Sequence, residues 1–360
     1  MTHDASVEAS FETMPPTPSD CVGLLPPSLD PPVVAAVPDG SSWCGFGISD
    51  DGNGNYALAY LGGSILGTFF VTIDAGKAVE IGKRSFGPVH GSWRMFSQPS
   101  GFTRFELDET TLGTTLRSWS HEGTPSSASV LSHGFADGYS VQVASDPAGG
   151  TAVVRSYKDA ADLWHTLYRR YGKTGEAETG EVSLGMDHLA AGVAVNLAGH
   201  VLVLAQDMKA SGSNPEGKWL SCDGTALTDW FEIPSMPIDG AEFLVDGSAV
   251  TSYWDKRNGQ FADLQTTASP LPEWLAERGN NRLAVIRGGK GYGSWGPYSK
   301  CGTALEVLTA SGQSCGCIAV PGLTPPGVGS SASIGRDGSL IVPRRSDGPC
   351  TYDLYPQLLR

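Results

Sequence analysis

Seven glycines recur along the chain at nearly constant spacing: Gly52, Gly101, Gly149, Gly199, Gly247, Gly289 and Gly338. The intervals are 49, 48, 50, 48, 42 and 49 residues. Each sits in a tight-turn setting, such as Val245-Asp246-Gly247-Ser248 or Arg336-Asp337-Gly338-Ser339, with short strand-like runs on both sides. Such a beat describes one supersecondary unit repeated seven times, and a repeat constrains architecture more than any local propensity.

A second beat follows the first. Turn signals recur 22 to 26 residues after each landmark, at Asp74–Gly76, Glu122–Gly123, Lys173–Gly175, Asp223–Gly224, Ser269–Pro270 and Ser311–Gly312. Between the turns lie alternating or β-branched runs, including Tyr56–Tyr60, Phe69–Ile73, Val193–Val195, Val201–Leu204 and Leu340–Val342. Each unit therefore carries four strands. Strand A precedes the landmark glycine, B follows it, C leads to the second turn, and D comes after. A four-stranded unit of this length is the period of a propeller blade. The expected fold is all-β, a seven-bladed β-propeller spanning residues 21–360 as a single domain, after a flexible acidic and Pro-rich tail over residues 1–20.

The ends of the repeat support a ring. The second turn of the seventh unit falls beyond Arg360, so that unit lacks strand D. An orphan strand, Pro32–Val37, precedes the first strand A. It can complete the last blade and remove an exposed edge. A Cys21–Cys350 disulfide would pin that closure. Asp159–Tyr171 has apolar residues at helical spacing, but the beat requires strand C there. Pro270–Arg278 is poor strand material and is expected to be a short helix or irregular segment in place of the fifth strand D.

The stretch Ala191-Gly-Val-Ala-Val-Asn-Leu-Ala-Gly-His-Val-Leu-Val-Leu204 resembles the NHL and related secreted bacterial propeller repeats. Asn196 stands where those repeats carry Asp, and His200 where they carry Asn. The close match covers one blade. The resemblance implies a propeller and no particular chemistry, because such repeats host adhesion, scaffolding, carbohydrate binding and some enzymes.

Composition narrows the function classes. The formal net charge of −14 argues against nucleic acid bound through a cationic face. Seven cysteines without zinc-ribbon spacing fit disulfides in an extracytoplasmic protein, the odd count leaving at least one free or in an intermolecular bond. The start, Met-Thr-His-Asp-Ala-Ser, has no basic or apolar leader character, as expected of a mature exported protein, with a lipid anchor at its native N-terminus as one option. No apolar run reaches membrane-spanning length. The chain has no Gly-x-Ser-x-Gly elbow, phosphate loop or calcium loop of standard spacing.

Propeller ligands usually sit where the D-to-A and B-to-C loops converge. The D-to-A loops are expected to hold Asp39, Trp43, His90, Trp93, His133, Asp137, Asp187, His188, Asp239 and Arg278. The B-to-C loops are expected to hold Asp159, Asp207, Asp255, Lys256, Arg257, Trp295, Arg344 and Arg345. From these, Trp43, Trp93, Asp137, Tyr139, Arg257 and Trp295 are the binding candidates, by aromatic stacking and charge. The competing reading places most of the aromatics in the core between blades. His90 and His188 each lie 11 residues before their landmark, and His133 lies 16 before its own. Converging histidines would hold a divalent metal or exchange protons. A turn-capping role is the competing reading, and neither cofactor nor metal is expected.

The leading functional expectation is an exported binding module that recognises a protein or glycan without turnover. The alternatives are a metal-dependent lyase or hydrolase built on His90, His133 and His188, and a scaffold in a surface assembly. Elemental analysis separates the first two. One stoichiometric transition metal, lost on replacing His90 or His188, would favour the enzyme; a metal-free protein would favour the binding module.

Overall fold

The computed structural model describes residues 19–38, 41, 43–44, 49–50, 54–62, 65–88, 93–98, 101–108, 113–119, 129–130, 139–146, 148–172, 175–209, 215–233, 241–243, 249–254, 259–263, 273–276, 282–286, 289–296, 301–302, 304–323, 332–335, 338–344 and 349–359. Among them the chain forms seven antiparallel sheets, most of four strands.

The first sheet has a strand A in two pieces, Trp43–Cys44 and Ser49–Asp50, followed by Asn55–Gly62, Ile65–Asp74 and Lys77–Pro88. The second runs Trp93–Gln98, Gly101–Asp108, Gly113–Trp119, Ser129–Val130. The third runs Tyr139–Ser145, Thr151–Lys158, Trp164–Tyr171, Val182–Met186. The fourth runs His188–Val195, Val201–Asp207, Pro215–Leu220, Phe231–Glu232. The fifth has Ala241–Phe243, Ala249–Trp254 and Gly259–Asp263. The sixth runs Arg282–Val285, Gly291–Trp295, Leu305–Thr309, Ser314–Ile318. The last has Ser333–Ile334, Leu340–Arg344 and Thr351–Tyr355, and its fourth strand is Val33–Ala36 from the start of the chain.

The turns explain why the sequence beats. At the fourth landmark the Asn196 amide donates to His200 O, and the Gly199 amide donates back to Asn196 O, both at 3.0 Å. Gly199 takes φ 81°, a left-handed conformation that only glycine adopts without steric cost. The same pair of bonds recurs at Asp146–Gly150 and Gly335–Ser339, with one more residue at Ile286–Gly291, and at the second beat in Gly172–Glu176, Ser221–Thr225 and Thr309–Gln313. Among the described residues the two beats thus share one hairpin turn in the third, fourth and sixth sheets, while the turns Gln98–Gly101 and Asp74–Lys77 are tighter two-residue hairpins.

Neighbouring sheets pack in chain order. The strands A of the second through sixth sheets touch in succession, and Ser49–Asp50 touches the second. Between the third and fourth sheets lie Val154, Tyr168 and Leu184 against Ala190, Val203 and Leu220. Trp295, Leu305 and Val307 pack on Leu340, Val342 and Tyr355 between the sixth and last. Ala35, Tyr352 and Leu354 pack on Tyr56, Leu58 and Phe69 between the last and first. The ring is therefore continuous, which is the organisation of a β-propeller.

The orphan strand behaves as its position requires. Val33 pairs with Leu354, Val34 with Asp353, Ala35 with Tyr352 and Ala36 with Thr351. Trp164–Tyr171 is a strand, and Asp159–Leu163 is the turn before it. In the fifth sheet a short helix, Glu273–Ala276, stands where strand D would be. Its Leu275 is fully buried, and its Trp274 ring lies 5.1 Å from that of Tyr292. Trp274 also covers Gly312, where a Cβ would fall 2.1 Å from the indole, so a larger residue would collide with the ring.

The disulfides correct one expectation. Cys21 joins Cys315 rather than Cys350; Cys350 joins Cys44, and Cys301 joins Cys317. The reason is radial. Cys21 meets Cys315 on the outer strand of the sixth sheet, 5.3 Å away between Cα atoms. Cys350 precedes the seventh strand C and meets Cys44 of the innermost strand of the first sheet. The two bonds lie in the region where the ends of the ring meet.

Cys222 is free and exposed. Alkylating the unreduced protein should label Cys222 alone, as read by peptide mass mapping. Replacing Cys44 and Cys350 together by Ala should cost about 2–5 kcal/mol of stability in denaturant unfolding.

Candidate functional site

Three loops meet on the D-to-A and B-to-C face, where the third and fourth sheets join. The first is the turn between Thr151–Lys158 and Trp164–Tyr171. The Asp159 amide donates to Leu163 O, and the Asp162 amide to Asp159 O, each at 3.0 Å. Asp162 stands at φ 62°, where the other turns carry glycine, because Asp tolerates this region better than most residues. The Asp159 carboxylate accepts the Ala161 amide at 2.8 Å and the Leu163 amide at 3.0 Å. Its other oxygen is 2.7 Å from His165 Nε2, and His165 stacks on Tyr157. The His165 bond, then the Leu163 amide, hold the Asp159 carboxyl below its ordinary range.

The second loop is Asp187, between the last strand of the third sheet and the first of the fourth. Its amide donates to Trp164 O and its carbonyl accepts the Met208 amide, both at 2.7 Å. Asp187 too is left-handed, at φ 63°. Met208 belongs to the third loop, where the Asp207 carboxylate accepts the Lys209 amide and Lys209 Nζ lies 3.0 Å from the Asp187 carboxylate. One backbone residue therefore ties the three loops edge to edge.

Three apolar side chains of these loops are exposed: Leu163 at 40%, Met208 at 40%, and Met186 at 51%, the last paired with His165 across its strand. Beside them Trp164 is buried, and Lys158 lies 5.5 Å over its ring while pairing with Asp162. Scattered exposed apolar residues need no explanation, but three on hydrogen-bonded neighbouring loops do.

Beneath the rim lies His188, the first residue of the fourth sheet. Its ring stacks on Trp230 at 4.3 Å between centroids, and Trp230 Nε1 donates to Leu184 O across the seam. His188 Nδ1 approaches Glu216 Oε2 at 3.2 Å without the alignment of a hydrogen bond, so both buried atoms lack a hydrogen-bond partner. Burial lowers the His188 pKa, and nearby Asp207 opposes that shift. Burial raises the Glu216 pKa, helped by Asp207 and Glu232. Both groups are driven toward their neutral forms.

The sequence-derived candidates divide unevenly. His188, Asp187, Asp159 and Asp207 come together here. Trp295 is 3% exposed in the core between the sixth and last sheets, because its strand position faces the neighbouring sheet, so it offers no surface to a ligand. Arg344 is half-exposed and pairs with the buried Asp353 of the adjacent strand. The backbones of Trp43, Trp93 and Tyr139 lie in strands A of the first, second and third sheets. His90, His133, Asp137 and Arg257 lie outside the described residues. Among the described residues no group of three or more His, Cys, Asp or Glu is placed to hold a metal. The apolar trio had one signal, its loop positions: Leu163 and Met208 fall in B-to-C turns and Met186 at the D-to-A turn.

No family model matches the chain, and no curated protein matches its sequence. Solved structures do. A protein from Lactobacillus plantarum is 10% identical with a TM-score of 0.50, over 85% of this chain and 88% of that one. A Dos1 propeller is 12% identical with a TM-score of 0.48, over 86% and 77%. TolB from Acinetobacter baumannii is 13% identical with a TM-score of 0.43, over 83% and 78%. At such identities likeness concerns the fold alone.

The histidine supplies a pH prediction. The folded state binds the His188 proton less tightly than the unfolded chain does. Its contribution is therefore present above the ordinary histidine pKa of ~6.5 and lost as pH falls through it. Glu216 acts in the opposite sense, since its raised pKa favours folding on acidification. In thermal melts, wild type should lose stability relative to His188→Gln as pH falls from 7 to 5; parallel curves would show that His188 titrates as in the unfolded chain.

Proposed function

We propose that this protein is an exported, seven-bladed recognition module that binds a macromolecular ligand on its D-to-A and B-to-C face and does not turn it over. The seven successive sheets supply the blades, and the strand Val33–Ala36 closes the ring. Three disulfides support an oxidising compartment outside the cytoplasm. Residues 1–20 would serve as the tether, with or without lipid.

The observation that carries the reading is the exposed trio Leu163, Met186 and Met208 on loops locked by the Asp187 backbone. Rigid loops lose little entropy on binding, and methionine adapts to irregular apolar partners. The stacking of His188 on Trp230 favours a structural role for this imidazole over metal ligation. The reading invokes neither cofactor nor metal.

The variant Leu163→Ser/Met186→Ser/Met208→Ser tests it. Each change is on the surface, so unfolding should shift by no more than about 0.5 kcal/mol per site. Ligands found for the wild type on glycan arrays or in a displayed peptide library should bind the variant at least about tenfold more weakly, equivalent to ~1.4 kcal/mol. Full retention of binding would remove this face from the function.

A further inference from the structure

Resting on the recognition reading above, we infer that the partner is a protein segment carrying an apolar anchor flanked by lysine or arginine. The apolar trio is edged by Asp159, Asp162, Asp187 and Asp207, with Lys158 and Lys209 as the opposing charges. Both lysines are already paired within the rim, Lys158 with Asp162 at 2.7 Å and Lys209 with Asp187 at 3.0 Å. Among the described residues this leaves Asp207, and Asp159 with its His165 and amide hydrogen bonds, as negative charge not paired with a lysine, on a chain whose formal net charge is −14. Complementary potential sets which partners approach and in what register.

The existing ion pairs do not block such a partner. Asp162 is 81% and Lys209 68% exposed, and pairs of that exposure are weak and screened by salt. An incoming guanidinium can take Asp162 or Asp187 in a forked bond while the lysine swings into water. Depth of binding comes from an aliphatic or aromatic side chain seated on the exposed apolar side chains of these loops.

Two other ligand classes fit less well. Sugars stack on open aromatic faces, but Trp164 is buried beneath Lys158, and the Tyr157 ring is already stacked on His165. Anionic lipid surfaces would be repelled by the same carboxylates that attract a basic segment.

The test is selection of a random displayed peptide library on the immobilised full chain, with counter-selection on Leu163→Ser/Met186→Ser/Met208→Ser. The expected peptides carry one large apolar residue with Lys or Arg close by. Their calorimetric Kd should weaken about tenfold in Asp162→Asn/Asp187→Asn, where asparagine keeps the left-handed backbone accessible. It should also weaken as salt rises from ~50 to ~300 mM. Apolar peptides without basic excess or salt dependence would overturn the partner chemistry and leave the recognition face standing. Failure of any peptide to distinguish wild type from the triple-serine variant, or a glycan that does so instead, would overturn this inference; loss of all ligands from that face would overturn both readings.

Discussion

The ring depends on one short pairing, Val33–Ala36 against Thr351–Leu354. Without it, the last sheet presents an open edge of backbone donors and acceptors. The side chains on that pairing seal the same boundary: Ala35, Tyr352 and Leu354 enter the core shared with Tyr56, Leu58 and Phe69. Tyr352 reaches across to Ala59 O, and Tyr56 meets Ser339 at 2.9 Å. Cys21–Cys315 and Cys44–Cys350 brace the closure from its outer and inner sides. Their bonded residues are 294 and 306 apart in sequence, so each excludes most of the extended states of the unfolded chain.

Much of this architecture was legible because its cause is local. A hairpin that needs a residue at positive φ selects glycine wherever it recurs, so the geometry at Gly199 or Gly312 leaves a mark in the sequence. Where Asp162 takes that place, the mark disappears although the turn persists. The strand at Trp164–Tyr171 shows a tertiary pattern overriding helical spacing, since Thr166 and Tyr168 face one neighbouring sheet and His165 and Leu167 the other side. The helix Glu273–Ala276 was legible from its prolines, but the reason for it was not: Trp274 fills the space over Gly312 in the next sheet.

The site was legible only as a face. Loop positions pointed to Asp159, Asp187, His188 and Asp207, yet their partners come from other strands and other sheets. Nothing in the order of residues shows that Trp230 will stack on His188, or that Asp187 will bridge Trp164 to Met208. Exposure is equally nonlocal. Trp295 and Met186 both end strands, and only the neighbouring sheet decides that one is covered and the other open. Disulfide connectivity failed for the same reason: nearness to the closure in sequence says nothing about inner or outer radius.

The closing strand also has a consequence for biogenesis. A ribosome makes Val33–Ala36 early and its mate Thr351–Leu354 roughly 300 residues later. At the ~5–20 residues per second of synthesis, that segment waits tens of seconds with its hydrogen-bonding groups unmatched. On the proposed export route the two ends would have to meet on the far side before oxidation could lock them. A holdase that shields the early strand would therefore govern yield, while the finished ring would have no further need of it.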